Sequence, residues 1–397
     1  MSSRLRSRRF YFGLAIGALL VLGGLGAAHY MEEHGHIVTG MTNQVVWGLP
    51  HVFAIFMIVA ASGVLNVASI GSVFGQPLYK PRAPLSGLLC LALLAGGLMV
   101  LMLDLGRPDR MIVAATHYNL SSVFAWNVLL YSGMFAIVAL YLWTMFERSM
   151  NRHSRTAGVL ALAWRFVLTT GTGLIFGFLV ARQAYGSAML APLFIVLSFA
   201  WGLAVFLIVQ SALYAWNAQV LDSAVQRRMA RLLGVFVAAA FHLVLVVHLT
   251  SLYFARQADF EAFILRDGGV FPLLLWGGYA VAGTLAPLLL LFHPRLAGPR
   301  SALLAAALVV LGAFAWLYVF IIGGQAFPLE IFPGYAVSSS FGDGAIAHYA
   351  PRLPELLLGL GGVGVAFVLT AVGVRVLDFM PKDDFAAPQS GTVKGAA

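Results

Sequence analysis

Residues 193–216, LFIVLSFAWGLAVFLIVQSALYAW, form a run without a single charged side chain. A helix needs about 20 predominantly apolar residues to cross the ~30 Å hydrocarbon core of a bilayer. Nine further runs of this kind account for nearly all of the remaining chain: 10–28, 46–75, 83–103, 122–146, 158–182, 232–256, 270–292, 301–323 and 354–377. Across the chain 61% of residues are hydrophobic and 10% are charged, whereas soluble domains carry about 25% charged residues. The sequence therefore predicts an all-α integral membrane protein with about ten transmembrane helices.

The basic residues are distributed unevenly between the two ends of these runs. The formal net charge is +9, which in a soluble protein would suggest nucleic-acid binding. If the N-terminus is cytoplasmic, 17 Lys and Arg residues fall on the cytoplasmic side, six fall on the outer side, and Arg165 lies within a helix. Basic residues concentrate on the cytoplasmic side of membrane proteins. We therefore predict that both termini are cytoplasmic and that the chain's surroundings are the lipid membrane, with no nucleic-acid role.

The first run has two interpretations. Ser7-Arg8-Arg9-Phe10 ahead of it resembles a twin-arginine export signal, and Gly26-Ala27-Ala28 would supply small residues for cleavage. Such signals usually serve proteins that fold before translocation, which a protein with ten spans does not. We favour a retained anchor helix.

Short loops join most of the runs, so neighbouring helices are expected to be antiparallel in one membrane domain. Trp47-Gly48-Leu49 and Trp201-Gly202-Leu203 form a faint internal repeat in the second and sixth runs. We predict four segments: an N-terminal anchor helix with an outer loop (1–45), a first four-helix bundle (46–185), a second four-helix bundle (186–323), and an outer loop with the last helix and a cytoplasmic tail (324–397).

The longest connections lie on the predicted outer side. They comprise residues 29–45, 104–121 and 324–353. An ordered surface of this extent would suit docking of an extracytoplasmic partner. The alternative is that these loops only fold back over the helices.

Several polar side chains are expected at similar depth near the outer leaflet, where their cost in hydrocarbon marks them as functional candidates. His51 lies five residues into the second run, about 8 Å below the predicted boundary at ~1.5 Å per residue. Asn127 lies at similar depth in the fourth run, and Tyr131 follows one turn later on the same face. The third run ends at Asp104, which is followed by Arg107.

This set of side chains suits quinone chemistry. A quinone carbonyl accepts hydrogen bonds, and two-electron reduction of the ring takes up two protons. A histidine can transfer protons near neutral pH, and a nearby carboxylate can relay them. The alternative for each residue is an ordinary hydrogen bond between helices.

Polar residues also occur deeper in the predicted membrane. Ser62, Asn66 and Ser69 follow His51 along one side of the second helix at 100° per residue. They would either hydrate a proton path or join helices, and we favour the second. Arg165 in the fifth run would either extend to the inner surface or end a proton half-channel within the bundle.

The sequence offers little for binding a metal. Cys90 is the single cysteine, so the chain forms no internal disulfide and holds no iron–sulfur cluster alone. His242 and His248 lie about 120° apart on one helix and cannot both ligate one iron. Either could pair with a histidine of another helix, but we do not expect a haem b. Gly-rich phosphate loops, CxxC, CxxCH and HExxH motifs are absent.

One segment resembles a known family of membrane subunits. Leu103-Asp104-Leu105-Gly106-Arg107-Pro108, then Asn119-Leu120-Ser121-Ser122 and Trp126, resemble the NrfD/PsrC family, the polysulfide-reductase-type membrane subunits of quinone-linked oxidoreductases. Val46-Trp47-Gly48-Leu49-Pro50-His51 is similar to that family's first core helix. More narrowly, the length and residues 29–36 through 43–44 resemble the DsrP type, found in DsrMKJOP sulfur-metabolism complexes.

The resemblance implies two four-helix bundles in a bacterial cytoplasmic (inner) membrane, with a non-covalent menaquinone or ubiquinone near the extracytoplasmic face. It also implies a ferredoxin-like iron–sulfur subunit on that face, with a multihaem cytochrome and further membrane or cytoplasmic redox subunits as additional partners. The implied quinone-site residues, with catalysis assigned to the histidine, the aspartate and the tyrosine, are Trp47, Gly48, His51, Asp104, Arg107, Asn127 and Tyr131. Whether Asn127 or Tyr131 makes the contact from the fourth span stays open.

Two other classes of function compete with this interpretation. Arg165, the polar stripe of the second helix and the faint repeat would also suit a proton-conducting or transporter-like subunit, because repeated bundles are common in transporters. A purely structural anchor would depend on none of the polar residues at depth.

Overall fold

The computed structural model of the chain describes residues 8–217, 219–329, 344–377 and 379–381. In those residues, ten helices are long and apolar enough to cross a membrane, and no β-strand occurs. The predicted all-α integral membrane architecture is confirmed. Residues 1–7, much of the predicted loop at 330–343 and the predicted cytoplasmic tail at 382–397 lie outside the described residues.

Twelve helices follow one another along the described chain. They are α1 (Arg8–His34), α2 (Leu49–Ser72), α3 (Ala83–Leu103), α4 (Met111–Thr116), α5 (Val123–Phe146), α6 (Ser154–Gly177), α7 (Leu190–Trp216), α8 (Ser223–Tyr253), α9 (Ala255–Ala262), α10 (Val270–Phe292), α11 (Pro299–Ala326) and α12 (Leu353–Val376). The short helices α4 and α9 lie in connections and do not span. The other ten correspond one to one to the predicted apolar runs.

The helix ends explain where prediction and structure differ. Helix α2 begins at Leu49 and not at residue 46, because Gly48 is extended (φ −86°, ψ −158°) and Pro50 occupies the first turn. Helix α1 continues to His34, so the first long connection is 35–48. Helix α8 begins at Ser223, where the Asp222 side chain accepts a hydrogen bond from the Ala224 backbone N–H (2.8 Å).

Two loop surfaces lie at opposite ends of the helices. We use the name long-loop face for the surface formed by the connections 35–48, 104–122, 178–189, 254–269 and the described parts of 327–352. Hydrogen bonds join these connections, such as that between His36 and the Asp104 backbone. The short-loop face carries 73–82, 147–153, 217–222 and 293–298, and Arg228 contacts Gln76 there.

The helices close into two rings of packed neighbours. In the first, α2 packs on α3, α3 on α5, α5 on α6 and α6 on α2; in the second, α7 packs on α8, α8 on α10, α10 on α11 and α11 on α7. Helices α1 and α12 pack together beside the first ring. Extensive packing of α2 on α7 joins the rings, so the boundary at residues 185/186 stays a prediction.

Glycine sets the separation of the crossing helices at two places. A Cβ on Gly63 of α2 would overlap the Ser198 carbonyl of α7, and one on Gly202 would overlap the Gly63 backbone. Gly24 of α1 and Gly361 of α12 are related in the same way. Such close approach stabilises helix pairs in lipid through van der Waals packing.

Candidate functional site: an imidazole–carboxylate pair beneath the long-loop face

The structure brings His51 and Asp104 into contact. Asp104 caps the C-terminus of α3, and His51 lies in the first turn of α2. The distance from His51 Nδ1 to Asp104 Oδ2 is 2.9 Å. The Asp104 side chain is 1% exposed and the His51 side chain 18% exposed, so the carboxylate is sealed in protein while the imidazole reaches the surface of the site. Because α2 starts at Leu49, His51 lies only about 3 Å below the helix start, shallower than the sequence indicated.

The pair has unfilled hydrogen-bonding capacity. Although the two atoms are close, their angle does not make a hydrogen bond. Among the described residues, His51 Nδ1 and both Asp104 carboxylate oxygens are buried without a hydrogen-bond partner. Buried polar atoms in native proteins are almost always bonded. This cluster is therefore suited to bind a polar group that reaches it.

Trp47 covers the imidazole. Its indole stacks on the His51 ring at 5.8 Å between centroids with a 23° angle between planes. The same indole contacts the edges of Phe124 on α5 (6.4 Å) and Phe176 on α6 (5.6 Å). The site thus has an aromatic wall formed by the segment before α2 together with two helices of the first ring.

We call residues 44–48 the strap, and Gln325 of α11 holds it. Gln325 Oε1 accepts hydrogen bonds from the backbone N–H groups of Val46 and Trp47 (3.0 Å each), and its Nε2 donates to the Trp47 carbonyl (3.0 Å). Arg182 adds hydrogen bonds to the carbonyls of Gln44 (2.8 Å) and Gln325 (2.9 Å). The position of Trp47 therefore depends on residues far away in the sequence.

A buried glutamate fixes the backbone on either side of the strap. Glu355, fully buried in the first turn of α12, accepts hydrogen bonds from the Tyr349 hydroxyl and the Gly40 backbone N–H (2.9 Å). The Tyr349 hydroxyl in turn accepts one from the Leu49 backbone N–H (2.7 Å). Burial, together with the hydrogen bond to Glu355, raises the pKa of Tyr349 far above its usual range. Gly48 faces this cluster, because a Cβ there would lie 2.5 Å from Glu355 Oε1.

Asn127 and Tyr131 lie on α5 facing α6. Asn127 Nδ2 donates to the carbonyls of Val123 (2.9 Å) and Gly171 (3.3 Å), and its buried Oδ1 has no partner among the described residues. The buried Tyr131 side chain lies near the Thr172 side chain. Within the described residues, no hydrogen bond, ion pair or ring contact joins Asn127 or Tyr131 to His51. Phe124, one turn before Asn127, connects this helix to Trp47.

The structure does not bring Arg107 to the pair. Its guanidinium is 64% exposed and forms an ion pair with Asp109 (3.1 Å). That pairing lowers the pKa of the Asp109 carboxyl. His36 is closer to the pair, because its Nε2 lies 3.0 Å from the Asp104 carbonyl oxygen.

The deeper polar residues mainly join helices. Ser62 Oγ lies 2.5 Å from Thr169 Oγ1 of α6. Arg165 is buried in the bundle and does not extend to the surface: its NH1 lies 3.4 Å from the Ser62 carbonyl, and its guanidinium packs on the rings of Phe166 and Phe199. Asn66 Nδ2 and Arg165 Nε are buried without partners among the described residues.

Sequence reasoning missed several polar residues. One of them is Glu261 on the unpredicted helix α9, which contacts His248 (2.7 Å). Gln325 and Glu355 were also missed, although each is a lone polar side chain at the end of an apolar run, which is a usable signal. No group of three or more His, Cys, Asp or Glu that could hold a metal occurs in the parts of the chain that the structure describes.

Comparisons with known proteins agree with this architecture. The chain is 28% identical over 382 residues, 94% of each chain, to an Archaeoglobus fulgidus protein described as an Hdr-like menaquinol oxidoreductase integral membrane subunit. It is 28% identical over 403 residues to a Halobacterium salinarum protein described as a membrane subunit of dimethyl sulfoxide reductase. That match covers 92% of this chain and 90% of the relative.

A third relative, from Mesobacillus selenatarsenatis, is described as a subunit of selenate reductase. It is 20% identical over 419 residues, which cover 94% of this chain and 95% of the relative. The three relatives are named for different oxidoreductases, and each is similar to this chain over nearly its whole length. The family model for polysulphide reductase, NrfD, matches residues 37–329, which include both rings of helices and the His51–Asp104 pair. The chain belongs to the NrfD polysulphide reductase family.

Proposed function

We propose that this chain is the quinone-reactive membrane subunit of a multi-subunit oxidoreductase and that His51 and Asp104 form the centre of its quinone site. The observation that carries the proposal is the buried imidazole–carboxylate pair, whose hydrogen-bonding capacity is unfilled, beneath the Trp47 ring. A menaquinol oxidoreductase subunit among the relatives supports a quinone as the ligand. Menaquinone and ubiquinone both fit the proposal.

The residues present suit a quinoid ring. The Trp47 ring, supported by the buried Phe176, offers stacking, and the pair offers hydrogen bonding to a ring oxygen. With Nδ1 facing Asp104, Nε2 of His51 is the atom left to meet a ligand. A bound quinone would supply two-electron redox chemistry coupled to two protons.

The roles of the individual residues follow from this arrangement. Asp104 orients the imidazole and stabilises its charged form, so that His51 can hold or release a proton at Nε2. Trp47 excludes water from the imidazole. Asn127 or Tyr131 would contact the ring from α5, where the unpartnered Asn127 Oδ1 favours the amide. Gly48 and Arg107 would lie at the edge of the quinone site and contact the ligand from there.

The remaining subunits of the complex are part of the same proposal. We infer that the long-loop face is extracytoplasmic and docks a ferredoxin-like iron–sulfur subunit, with a multihaem cytochrome and other redox subunits beyond it. The chain would then lie in the cytoplasmic membrane with both termini inside and would be inactive alone. The DsrP-like segment favours sulfur metabolism.

The test is electron transfer in an assembled complex carrying His51→Ala. Quinol-linked turnover should fall by about 10²-fold or more, the usual contribution of a general acid or base, and affinity for a quinone analogue should fall with it. His34→Ala, an exposed histidine at the end of α1, is the matched control and should retain both. Unchanged turnover and analogue affinity in an assembled His51→Ala complex would contradict the proposal.

A proton-conducting or transporter-like role is the second candidate. Buried polar atoms without partners among the described residues favour it, because they would need water: Asn66 Nδ2, Arg165 Nε and both amide atoms of Gln210. Proton flux through liposomes that contain the purified chain alone, abolished by Arg165→Met, would support this role. Liposomes without flux would leave the redox proposal as the better account.

A further inference from the structure

A second imidazole–carboxylate pair lies in the other ring of helices. His248, near the end of α8, places Nδ1 at 2.7 Å from Glu261 Oε2 with good hydrogen-bond geometry. The Glu261 side chain is 3% exposed. Burying a carboxylate without a partner is strongly unfavourable, so the imidazole is what makes this burial tolerable. Quinone chemistry at His51 does not use this pair.

The chain takes an unusual path to bring Glu261 there. After α8 ends at Tyr253, the short helix α9 turns back onto the bundle and carries Glu261 and Phe260 into the protein. A turn at Gly269, whose φ of +63° favours glycine, then leads into α10. A connection made only to join two spans would not need to bury an acidic residue.

The pair lines a cavity of about 40 Å³. That volume holds about three water molecules and is too small for a quinoid ring. His248, Glu261 and Ser251 supply polar groups to its wall, and Trp316 and Phe320 supply stacked rings (4.8 Å, 9°). The cavity is thus large enough for water and polar enough to hold it.

Three π-helical segments of the described chain all contribute to this wall. They are Phe263–Asp267, Leu273–Leu285 within α10, and Tyr318–Gly323 within α11, which supply Ile264, Leu275, Val319 and Phe320. π-Helical turns are rare and occur frequently at functional sites. Their convergence on one cavity is an observation independent of the charged pair.

We propose that this cavity is a proton-exchange site of the second ring, in which His248, Glu261 and a small cluster of internal waters take up and release a proton at the long-loop face. Histidine changes charge near neutral pH, and the adjoining carboxylate stabilises the charged imidazole. The proton comes from, and returns to, the aqueous phase; no electron transfer is involved. The site acts independently of the quinone chemistry proposed for His51.

Other titratable groups on the neighbouring elements are engaged elsewhere. Arg256 on α9 donates to the Val180 carbonyl (3.0 Å), and Arg266 pairs with Asp267 (2.8 Å). The Tyr185 hydroxyl, before α7, donates to the carbonyls of Phe320 and Ile321 (3.0 Å each).

Four more such groups occur on these helices and connections. Arg182 donates to the carbonyls of Gln44 and Gln325, and Tyr279 of α10 is buried near Thr284. Asp259 is exposed on α9, and His242 lies on α8, two turns before His248. The charge of the pair is therefore set mainly within the pair itself.

Infrared difference spectroscopy of the full-length protein in lipid nanodiscs, between about pH 8 and about pH 5, tests the proposal. The wild-type protein should show an imidazole protonation band that Glu261→Gln moves to lower pH, because the charged ring loses its carboxylate partner. Asp259→Asn, an exposed carboxylate two residues away on the same helix, is the matched control and should keep the band. In D2O the band should shift promptly, because a hydrated cavity exchanges its protons.

His248→Gln provides a second variant in case Glu261→Gln does not fold. It should remove the imidazole band of the pair, because the ring that takes up the proton is then absent. A band that is unchanged in both variants, or one that does not exchange in D2O, would overturn the proposal. So would quinone-analogue binding that Glu261→Gln abolishes and His51→Ala preserves, because the cavity would then be a ligand site.

Discussion

At the residue scale, Gln325 positions the candidate site although it touches neither His51 nor Asp104. Its side-chain amide bonds three backbone groups of the strap. Each buried group left unpaired costs about 1–3 kcal/mol. We expect Gln325→Ala to release Trp47 and to weaken quinone-analogue binding at least about tenfold, which corresponds to ~1.4 kcal/mol.

Isothermal titration of the analogue checks this prediction. Gln219→Ala, an exposed glutamine of the short-loop face, is the control. If the Gln325→Ala protein folds and binds the analogue as tightly as wild type, the strap does not position the site.

Tyr349 should make the protein sensitive to alkali. Because its pKa is raised in the folded protein, the folded state holds the phenol proton more tightly than the unfolded chain, where the pKa is about 10. The stability linked to this proton is complete below about pH 10 and decreases as the pH rises above it. Tyr349→Phe should lower the melting temperature near neutral pH, where the hydrogen bonds are lost, and reduce its further fall above about pH 10.

Tryptophan fluorescence melts of both proteins across this pH range measure the effect. Equal slopes of melting temperature against pH for wild type and Tyr349→Phe would show that the phenol does not titrate with unfolding.

The sequence predicted His51 and Asp104 as neighbours because both lie where an apolar run meets a connection on the same side. It could not predict that Gln325 and Glu355 hold the backbone beside this pair, or that Glu261 forms a second pair with His248. The partners of these residues lie in distant segments of the chain. A single polar residue at the end of an apolar run does not reveal which of those segments it will bond. Arg107 pairs with the nearby acid Asp109, and its part in the site stays a prediction.

At the scale of helices, the crossing of α2 and α7 depends on the absence of side chains at Gly63 and Gly202. A Cβ on Gly63 would overlap the Ser198 carbonyl. Gly63→Ala should therefore force these backbones apart and destabilise the protein by about 1–3 kcal/mol, as overpacking does. Gly26→Ala on α1 is the matched control, because a Cβ there has nothing within 4 Å.

The single cysteine offers the measurement. Cys90 is fully buried, so a thiol-reactive fluorophore reports unfolding directly. Gly63→Ala should react at lower temperature than wild type, and Gly26→Ala at the same temperature or higher. A Gly63→Ala protein that melts with the control would contradict the tight crossing.

All ten spans were predictable because each carries its apolar run within its own sequence. The ends of the helices were harder to predict. Residues 46–48 are apolar and aromatic enough to extend the second run, but Pro50 and the extended Gly48 start the helix later. Helix α9 was missed because its residues are polar and few, and it forms only where Phe260 and Glu261 pack against the bundle.

For the whole molecule, the distribution of basic residues predicts the orientation in the membrane. Single cysteines placed at His117, on the long-loop face, and at Arg152, on the short-loop face, test it, since native Cys90 is buried and unreactive. In intact cells a membrane-impermeant thiol reagent should label position 117 and not position 152. The reverse pattern would place the candidate quinone site on the cytoplasmic side.

Above all, we propose that a quinone binds at Nε2 of His51, beside Trp47, while Asp104 faces Nδ1 of the same imidazole. Photolabelling of the assembled complex with an azidoquinone, followed by mass spectrometry of the labelled peptides, measures this most directly. We predict that the label maps to residues of the strap, the first turn of α2 or the end of α3, and that excess quinol prevents it. A label that maps instead to the His248 cavity, or to lipid-facing residues without competition by quinol, would contradict the claim.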